Sequence, residues 1–311
     1  MNQKLFKIEL PIVQGGMVYC SGGRLAGSVS EAGGLGLIGA GSMNESILQL
    51  QIDKAQRITK KPIGINIPLL YSKVENQIEI ALNAGIKIFF TSAGNPKTYT
   101  SFLKRNGCTV VHVTSTPELA KKCEAAGVDA IVAEGFEAGG HHGREEITTL
   151  ALIPQVVQAV KIPVIAAGGI ASGGGIAAAL SLGAAGVQMG SRFAATQESS
   201  AHDNFKRAII NMHANDTMLC MKKLVPVRLY KNEFFNKIHT AESRCASKDE
   251  LSEILGKGKA RSGMLDGDIE NGEIEIGQIS GYIDDIPTVA TLIQRLREEY
   301  QQAVAKLEKT L

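Results

Sequence analysis

The 311-residue chain contains no tryptophan, and aromatic residues make up only 5% of it. Little is left for a base-stacking platform, and a net charge of +2 is too small to hold a nucleic acid or an anionic membrane surface. The cysteines (Cys20, Cys108, Cys123, Cys220 and Cys245) are odd in number and show no C-x-x-C spacing. Neither a disulfide framework nor a structural zinc site is expected, and a reducing cytoplasm is the simplest setting. No apolar run reaches the ~20 residues of a membrane span. The opening segment lacks the apolar core and small-residue cleavage site of a signal peptide.

Glycine, by contrast, is abundant at 34 residues, clustered in short runs without the period of collagen. Hydrophobic residues at 44% and charged residues at 21% describe an ordinary globular chain. Short β-branched runs alternate with amphipathic stretches of helix length. Strands are expected around 11–13, 35–39, 63–67, 87–91, 109–113, 130–133, 164–167 and 186–189. They are apolar on both faces, as buried parallel strands are. Asn95-Pro96 and Thr116-Pro117 read as helix starts, and Gly127 as the residue that closes the second of those helices. Eight such units point to a TIM (β/α)8 barrel, with a doubly wound open sheet as the alternative that strand count alone does not exclude.

The alternation breaks after the eighth strand. Three segments follow: a barrel over 1–197, an inserted lid or cap over 198–285, and a C-terminal helix over 286–311 that packs back on the barrel. The insertion is too long for a plain connection. It is rich in Lys, Asn, Asp and Glu, contains one amphipathic helix around 205–212, and reads as a mobile cover with few apolar contacts. Its run 256–263 reads as a flexible loop. In the last segment Val289, Leu292, Ile293, Leu296 and Leu307 recur at helical spacing.

Gly34-Leu-Gly-Leu-Ile-Gly39 matches the G-x-G-x-x-G dinucleotide fingerprint in letters only. That fingerprint needs a turn between a strand and a helix, whereas this segment follows a helix and is itself a strand. Two later glycine segments are better placed. Gly168-Gly169-Ile-Ala-Ser-Gly-Gly-Gly175 follows the seventh strand and opens a helix, and Gly190-Ser191-Arg192 follows the eighth. Loops at these two places commonly hold a phosphate in barrels, and residues without a Cβ let backbone N–H groups approach it. The bland reading is that the glycines serve tight turns. The sixth loop, Glu134 to Glu146, joins glycines, His141, His142 and carboxylates at the end of a strand where barrel chemistry sits. A Gly-flanked His141 there suits a proton donor or charge stabiliser. The adjacent rings of His141 and His142 are expected to point apart. No third ligand at regular spacing supports a metal. The loop also lacks the cysteine that a thioimidate-forming dehydrogenase needs, and Cys20 sits where it can edge the site.

Pro11-Ile-Val-Gln-Gly-Gly-Met17, Glu31-Ala-Gly-Gly-Leu-Gly36, Gly64-Ile-Asn-Ile67, Glu137-Ala-Gly-Gly-His141-His-Gly143, Ile165-Ala-Ala-Gly-Gly169 and Gln188-Met-Gly-Ser-Arg-Phe193 together resemble the nitronate monooxygenase (2-nitropropane dioxygenase) family. Within it the chain is most similar to the branch of FMN-dependent enoyl-[acyl-carrier-protein] reductases. The likeness runs over nearly the whole length and includes Ser92-Ala-Gly-Asn-Pro96, Glu198-Ser-Ser-Ala-His202 and Gly277-Gln-Ile-Ser-Gly281.

The resemblance implies an FMN-binding barrel. Gly15, Gly16 and Met17 would underlie the flavin ring, Asn66 and Glu134 would meet its polar edge, and Gly139 would lie beside it. Gly168, Gly169, Gln188, Met189, Gly190 and Ser191 would hold the phosphate end, and His141 matches the family's active-site histidine. Ser191 replaces a common Thr and keeps the hydroxyl. His142 stands where the reductases usually carry an apolar residue, and Glu134 where many nitronate oxidisers carry Gln. The implied reaction is ping-pong. NADH or NADPH reduces FMN, and an enoyl thioester on acyl carrier protein is then reduced at its trans-2 double bond, a step of fatty acid biosynthesis. Nitronate oxidation by O2, a quinone-linked flavin reductase and a flavin-free phosphosugar enzyme are the alternatives. Neither a nucleic acid nor a membrane is an expected partner, and a homodimer is allowed.

Overall fold

The computed structural model describes residues 5–309. The first four and last two residues, the outer ends of the expected first and last segments, lie outside the described residues.

Eleven strands are described: β1 (Ile12–Gln14), β2 (Leu35–Gly39), β3 (Ile63–Pro68), β4 (Ile88–Ser92), β5 (Thr109–Thr114), β6 (Ala130–Glu134), β7 (Gly140–His141), β8 (Val164–Ala167), β9 (Gly186–Met189), β10 (Thr217–Cys220) and β11 (Val227–Tyr230). Eight of them form a closed parallel barrel in the order β1-β2-β3-β4-β5-β6-β8-β9. Closure is direct: Ile12 pairs with Val187 and Gln14 with Met189, joining the first strand to the last. That pairing excludes the open sheet, and the fold is a TIM barrel.

The helices α1 (Gly23–Glu31), α2 (Glu45–Ile58), α3 (Val74–Asn83), α4 (Lys97–Arg105), α5 (Pro117–Ala125), α6 (Thr149–Ala159) and α7 (Gly173–Ser181) lie between the barrel strands. Thr116 caps α5 by accepting from Leu119 N at 3.1 Å, Pro117 opens it, and Gly127 leaves it with φ +86°. Helix α4 begins one residue later than the sequence suggests. Pro96 is its cap, and the Asn95 side chain accepts from Lys97 N at 3.0 Å.

The barrel has two apolar layers. Val13, Leu35, Leu37, Phe90, Val111, Val132 and Ile165 fill its interior, where Phe6 also packs, 5.8 Å from the Phe90 ring. Ile38, Ile65, Phe89, Val110, Ile131 and Val187 face outward into the helices. Strands buried on both faces explain why they read as unbroken apolar runs. The glycine in β2 serves that packing: a Cβ on Gly36 would lie 1.9 Å from the Ala26 carbonyl of α1. The spurious dinucleotide fingerprint is therefore a helix–strand contact.

Beyond β9 come α8 (Ser191–Ala194), α9 (Asp203–Ile210), α10 (Glu233–Ser243), α11 (Lys248–Leu255), α12 (Lys259–Met264) and α13 (Val289–Glu308). The segment between β9 and α13 carries more apolar packing than its composition suggests. Phe205, Ile209, Met212, Met264, Ile274 and Ile276 form one buried cluster, and Leu229, Phe234, Phe235, Ile238 and Leu251 another. The segment's apolar residues come in short runs, such as Ala208-Ile-Ile210 and Phe234-Phe235, that are separated by charged stretches and meet only in three dimensions. The run 256–263 is not a plain loop. Gly256 and Gly258 turn the chain with φ +57° and +81°, and α12 follows at once. Asp285 then takes Arg192 at 3.0 Å and Arg295 at 2.6 Å, fixing the entry to α13. Helix α13 packs on α7 and α1 and completes the wall. Among the described residues no helix is long and apolar enough to cross a membrane.

Candidate active site

A cavity of about 1040 Å³ opens at the C-terminal ends of the barrel strands. Gly15, Gly16, Met17, Asn66, Glu134, Gly139, His141, Gly168, Gly169, Gln188, Met189, Gly190 and Ser191 all line it. Loops from β1, β3, β6, β8 and β9 thus converge on one space, although the residues are spread over most of the chain.

The turn after β1 is fixed from below. Gln14 is fully buried; its amide donates to Ser21 Oγ at 2.8 Å and accepts from Leu37 N at 3.1 Å. Ser21 Oγ in turn donates to the Gly15 carbonyl at 2.9 Å and accepts from Met17 N at 2.9 Å. Gly16 then passes over Asn66, where a Cβ would lie 2.2 Å from the Asn66 Cβ. A flat surface free of side chains results.

After β8, two strands from β1 around the barrel, Gly168 and Gly169 have φ +94° and +68°, a conformation that favours glycine. Among the described residues no protein acceptor meets the amide N–H of Gly169 or Gly190. The later part of that glycine segment is structural. Gly173 N donates to Glu299 of α13 at 2.7 Å, Gly175 N donates to the Ser172 cap at 3.1 Å, and neither glycine lines the cavity. The Ser191 hydroxyl accepts from Gly277 N at 3.0 Å, which leaves its own proton to donate. Gly139 has a packing reason to be glycine, since a Cβ there would sit 2.4 Å from the Ile276 carbonyl carbon.

His141 sits in β7, a two-residue strand that pairs antiparallel with β11; Val227 faces His141 and Arg228 faces Gly140. Its Nδ1 lies 3.8 Å from Glu275 Oε2. The interaction with Glu275 raises the imidazole to about 9, against the opposing effect of burial. Its exposed ring surface opens to the cavity. His142 also lines the cavity, but its ring is tied to the backbone. Its Nε2 donates to the Ala138 carbonyl at 2.6 Å, and burial lowers its affinity for a second proton. The Glu134 carboxyl has no hydrogen-bond partner among the described residues, and burial pushes it up to about 7.

Three further residues escaped the sequence reading. His112 of β5 lines the cavity, with Nδ1 2.7 Å from Thr91 Oγ1, and burial lowers it to about 4. It is hidden inside an apolar strand and stays neutral at pH 7. Glu275 reaches the cavity from the insertion, and Glu273, buried on the same segment, acts on His141 without lining the cavity. A signal for them exists: Gly272-Glu-Ile-Glu-Ile-Gly277 alternates acidic and apolar residues with period two, which in an extended chain sets both carboxyls on one face. Cys20 also edges the cavity, and burial pushes its thiol up to about 12, so it is inert.

The nitronate monooxygenase family model matches residues 1–81 and 70–299. The chain belongs to the nitronate monooxygenase family. It is an oxidoreductase of that family, built on the TIM barrel described above. The structure of FabK from Thermotoga maritima superposes with a TM-score of 0.94 at 40% identity, covering 99% of this chain and 98% of that one. Nitroalkane oxidase from Streptomyces ansochromogenes superposes with a TM-score of 0.84 at 29% identity, over 98% and 99% of the two chains. Among curated relatives, a (3aS,4S,5R,7aS)-5-hydroxy-7a-methyl-1-oxo-octahydro-1H-indene-4-carboxyl-CoA dehydrogenase of Rhodococcus jostii is 31% identical over 93% of this chain and 92% of its own. A probable nitronate monooxygenase of Staphylococcus aureus is 35% identical over 70% of this chain and 73% of its own.

Proposed function

We propose that the protein is an FMN-dependent reductase of enoyl thioesters, taking its electrons from NADH or NADPH and its substrate on acyl carrier protein. One observation carries the reading. A single cavity continues from the glycine surface at Gly15–Met17, past His141, to Leu70, Tyr71, Leu119 and Val225. These last four are exposed apolar side chains at its mouth. Such a passage suits a long acyl–thioester arm better than a small nitronate. The likeness to FabK from Thermotoga maritima and to a relative named for a carboxyl-CoA dehydrogenase supports the same class.

The site fits FMN. Gly16 leaves a flat surface over Asn66, Glu134 presents an unpaired carboxyl, and the amides of Gly169 and Gly190 are open to a phosphate. Gln188, Met189, Gly168 and Ser191 would complete the phosphate end, and Gly139 would border the ring. When bound, FMN supplies the hydride relay between nicotinamide and substrate. The chain's own residues supply the rest. Reduction at the β-carbon develops negative charge on the thioester oxygen. His141, cationic at neutral pH, stabilises that charge or delivers the α-proton. His112, neutral and held by Thr91, adds a polar contact without a second positive charge.

The lid role of 198–285 belongs to this reading. Its Glu275, Ile276 and Ile279 form part of the cavity wall, so substrate would enter between insertion and barrel. The second reading, nitronate oxidation by O2, is favoured by His142, a polar residue among those that line the cavity. Steady-state turnover separates the two. A reductase consumes NADH or NADPH with crotonyl thioesters equally well with and without O2. A nitronate oxidase needs O2 and no reduced nicotinamide.

A further inference from the structure

We propose that Glu275 is a positioning residue for the proposed reaction: carried in by the insertion, it holds the His141 imidazolium over the cavity and keeps its proton in place. The role of that proton in turnover rests on the reductase reading, whereas the pairing itself does not.

The geometry has three parts. His141 is held in place by β7, whose only strand partner among the described residues is β11 of the insertion. Leu229 of β11 forms an isolated antiparallel bridge with Glu275. The same short ribbon therefore fixes the backbone of both partners. Gly140 makes the approach possible, since it has φ +79° and a Cβ there would lie 2.6 Å from Glu275 Oε2. Any side chain at 140 would displace the carboxylate. Glu275 Oε2 stands 3.8 Å from His141 Nδ1, close enough to favour the charged ring.

The other groups that act on His141 are few. Glu134 lies on the barrel side, and Glu273 sits on the same insertion segment as Glu275. His142 follows in the chain, its ring tied to Ala138, with Glu137 and Arg228 beyond it. Glu137 is engaged with the first turn of α6 through Thr149. Burial, reinforced by the Glu275 carboxylate, pushes the Glu273 carboxyl up and disfavours its charged form, and among the described residues the carboxylate paired with His141 is that of Glu275. Glu134, at about 7, is only partly ionised at neutral pH. Glu275 is thus the dominant support of the His141 cation, consistent with a ring raised to about 9. Undocking the insertion would remove it.

The test is a ring-nitrogen NMR titration of the flavin-loaded protein, with the His141 signal assigned by its loss in His141→Gln. Wild-type His141 should stay protonated well above neutral pH. Glu275→Gln should lower its midpoint by about one unit or more. Glu275→Asp, one methylene shorter, should give a midpoint between the two, and serves where the Gln variant does not fold. Glu273→Gln should move the midpoint less than Glu275→Gln. An unchanged midpoint in Glu275→Gln, or in Glu275→Asp where only that variant folds, overturns the proposal, as does a larger effect from Glu273→Gln. In turnover with a crotonyl thioester, the alkaline limb should shift down with the same order of variants. A wild-type protein that turns over no enoyl thioester at any pH rejects the reductase reading, while the titration still reports on the pair.

Discussion

The guanidinium of Arg228 lies 4.4 Å from the centre of the Phe136 ring, and its Nε and Nη2 donate to the Phe136 carbonyl at 3.2 and 2.9 Å. Arg228 comes from β11 and Phe136 from the loop after β6, so this contact ties the insertion to the barrel loop that carries His141. The side chain is 1% exposed, and its Nη1 also donates to Thr217 at 3.3 Å. A lysine offers neither the planar fork nor the same stacking. Arg228→Lys should weaken the junction by about 1.5–3 kcal/mol, the range for hydrogen bonds to a charged group. Hydrogen exchange over 136–142 and 217–230 should rise by roughly 10- to 100-fold. Exchange confined to other segments would show that the contact does not hold the junction.

Two glycines should separate stability from flavin binding. A methyl at Gly36 meets the α1 backbone, which cannot move without opening the wall. Gly36→Ala should therefore cost at least ~1–3 kcal/mol of overpacking and lower the melting temperature. At Gly16 the methyl meets the Cβ of Asn66, on the cavity floor. Gly16→Ala should weaken FMN retention at least about tenfold, which is ~1.4 kcal/mol, with a smaller change in the melting of the flavin-free protein. Equal loss of stability in both variants would contradict the division.

The barrel was legible because its strands are buried on both faces and each ends in its own punctuation, such as Thr116-Pro117 and Gly127. The glycine segments after β8 and β9 were legible by position as cavity lining, through Gly168, Gly169 and Gly190. The insertion was not. The barrel-loop strand it pairs with, β7, spans two residues, too few for any periodicity, and the pairing of β7 with β11 joins positions about ninety apart. Phe234, Leu251 and Leu229 form one core only once β11, α10 and α11 have come together. Glu273 and Glu275 lie more than a hundred residues from His141, so their role had no local signature beyond the alternating run that contains them. His112 was hidden for a different reason: one imidazole in an apolar strand carries no hint that the strand's end faces a cavity.

Glu134 gives a pH-dependent stability difference of known sign. Its folded value, about 7, is raised above the ordinary carboxyl value by burial. The protonated form is therefore favoured by folding, and that preference is lost as pH rises through about 7. Flavin-free Glu134→Gln should melt at a higher temperature than wild type at pH 8, with the difference fading near pH 4.5. A difference that grows on acidification would place an ionised, well-paired carboxylate at this position.

His142→Ala should be milder than His141→Ala in every step that involves substrate, since the His142 ring is spent on the Ala138 carbonyl. Loss of that bond loosens the loop rather than removing the donor. Enoyl-thioester turnover that falls as far in His142→Ala as in His141→Ala would mean that both rings face the substrate.

The most direct measurement is anaerobic stopped-flow of the two half-reactions in wild type and His141→Ala. Bleaching of the flavin by NADH or NADPH needs no proton donor at the thioester oxygen and should be nearly unchanged by the substitution. Reoxidation by an enoyl thioester should slow by ~10²–10³, the effect of removing one well-placed donor to a developing anion. Wild-type reduced protein that no enoyl thioester reoxidises, together with rapid reduction of the oxidised protein by alkyl nitronates, would contradict the reductase assignment and leave nitronate oxidation in its place.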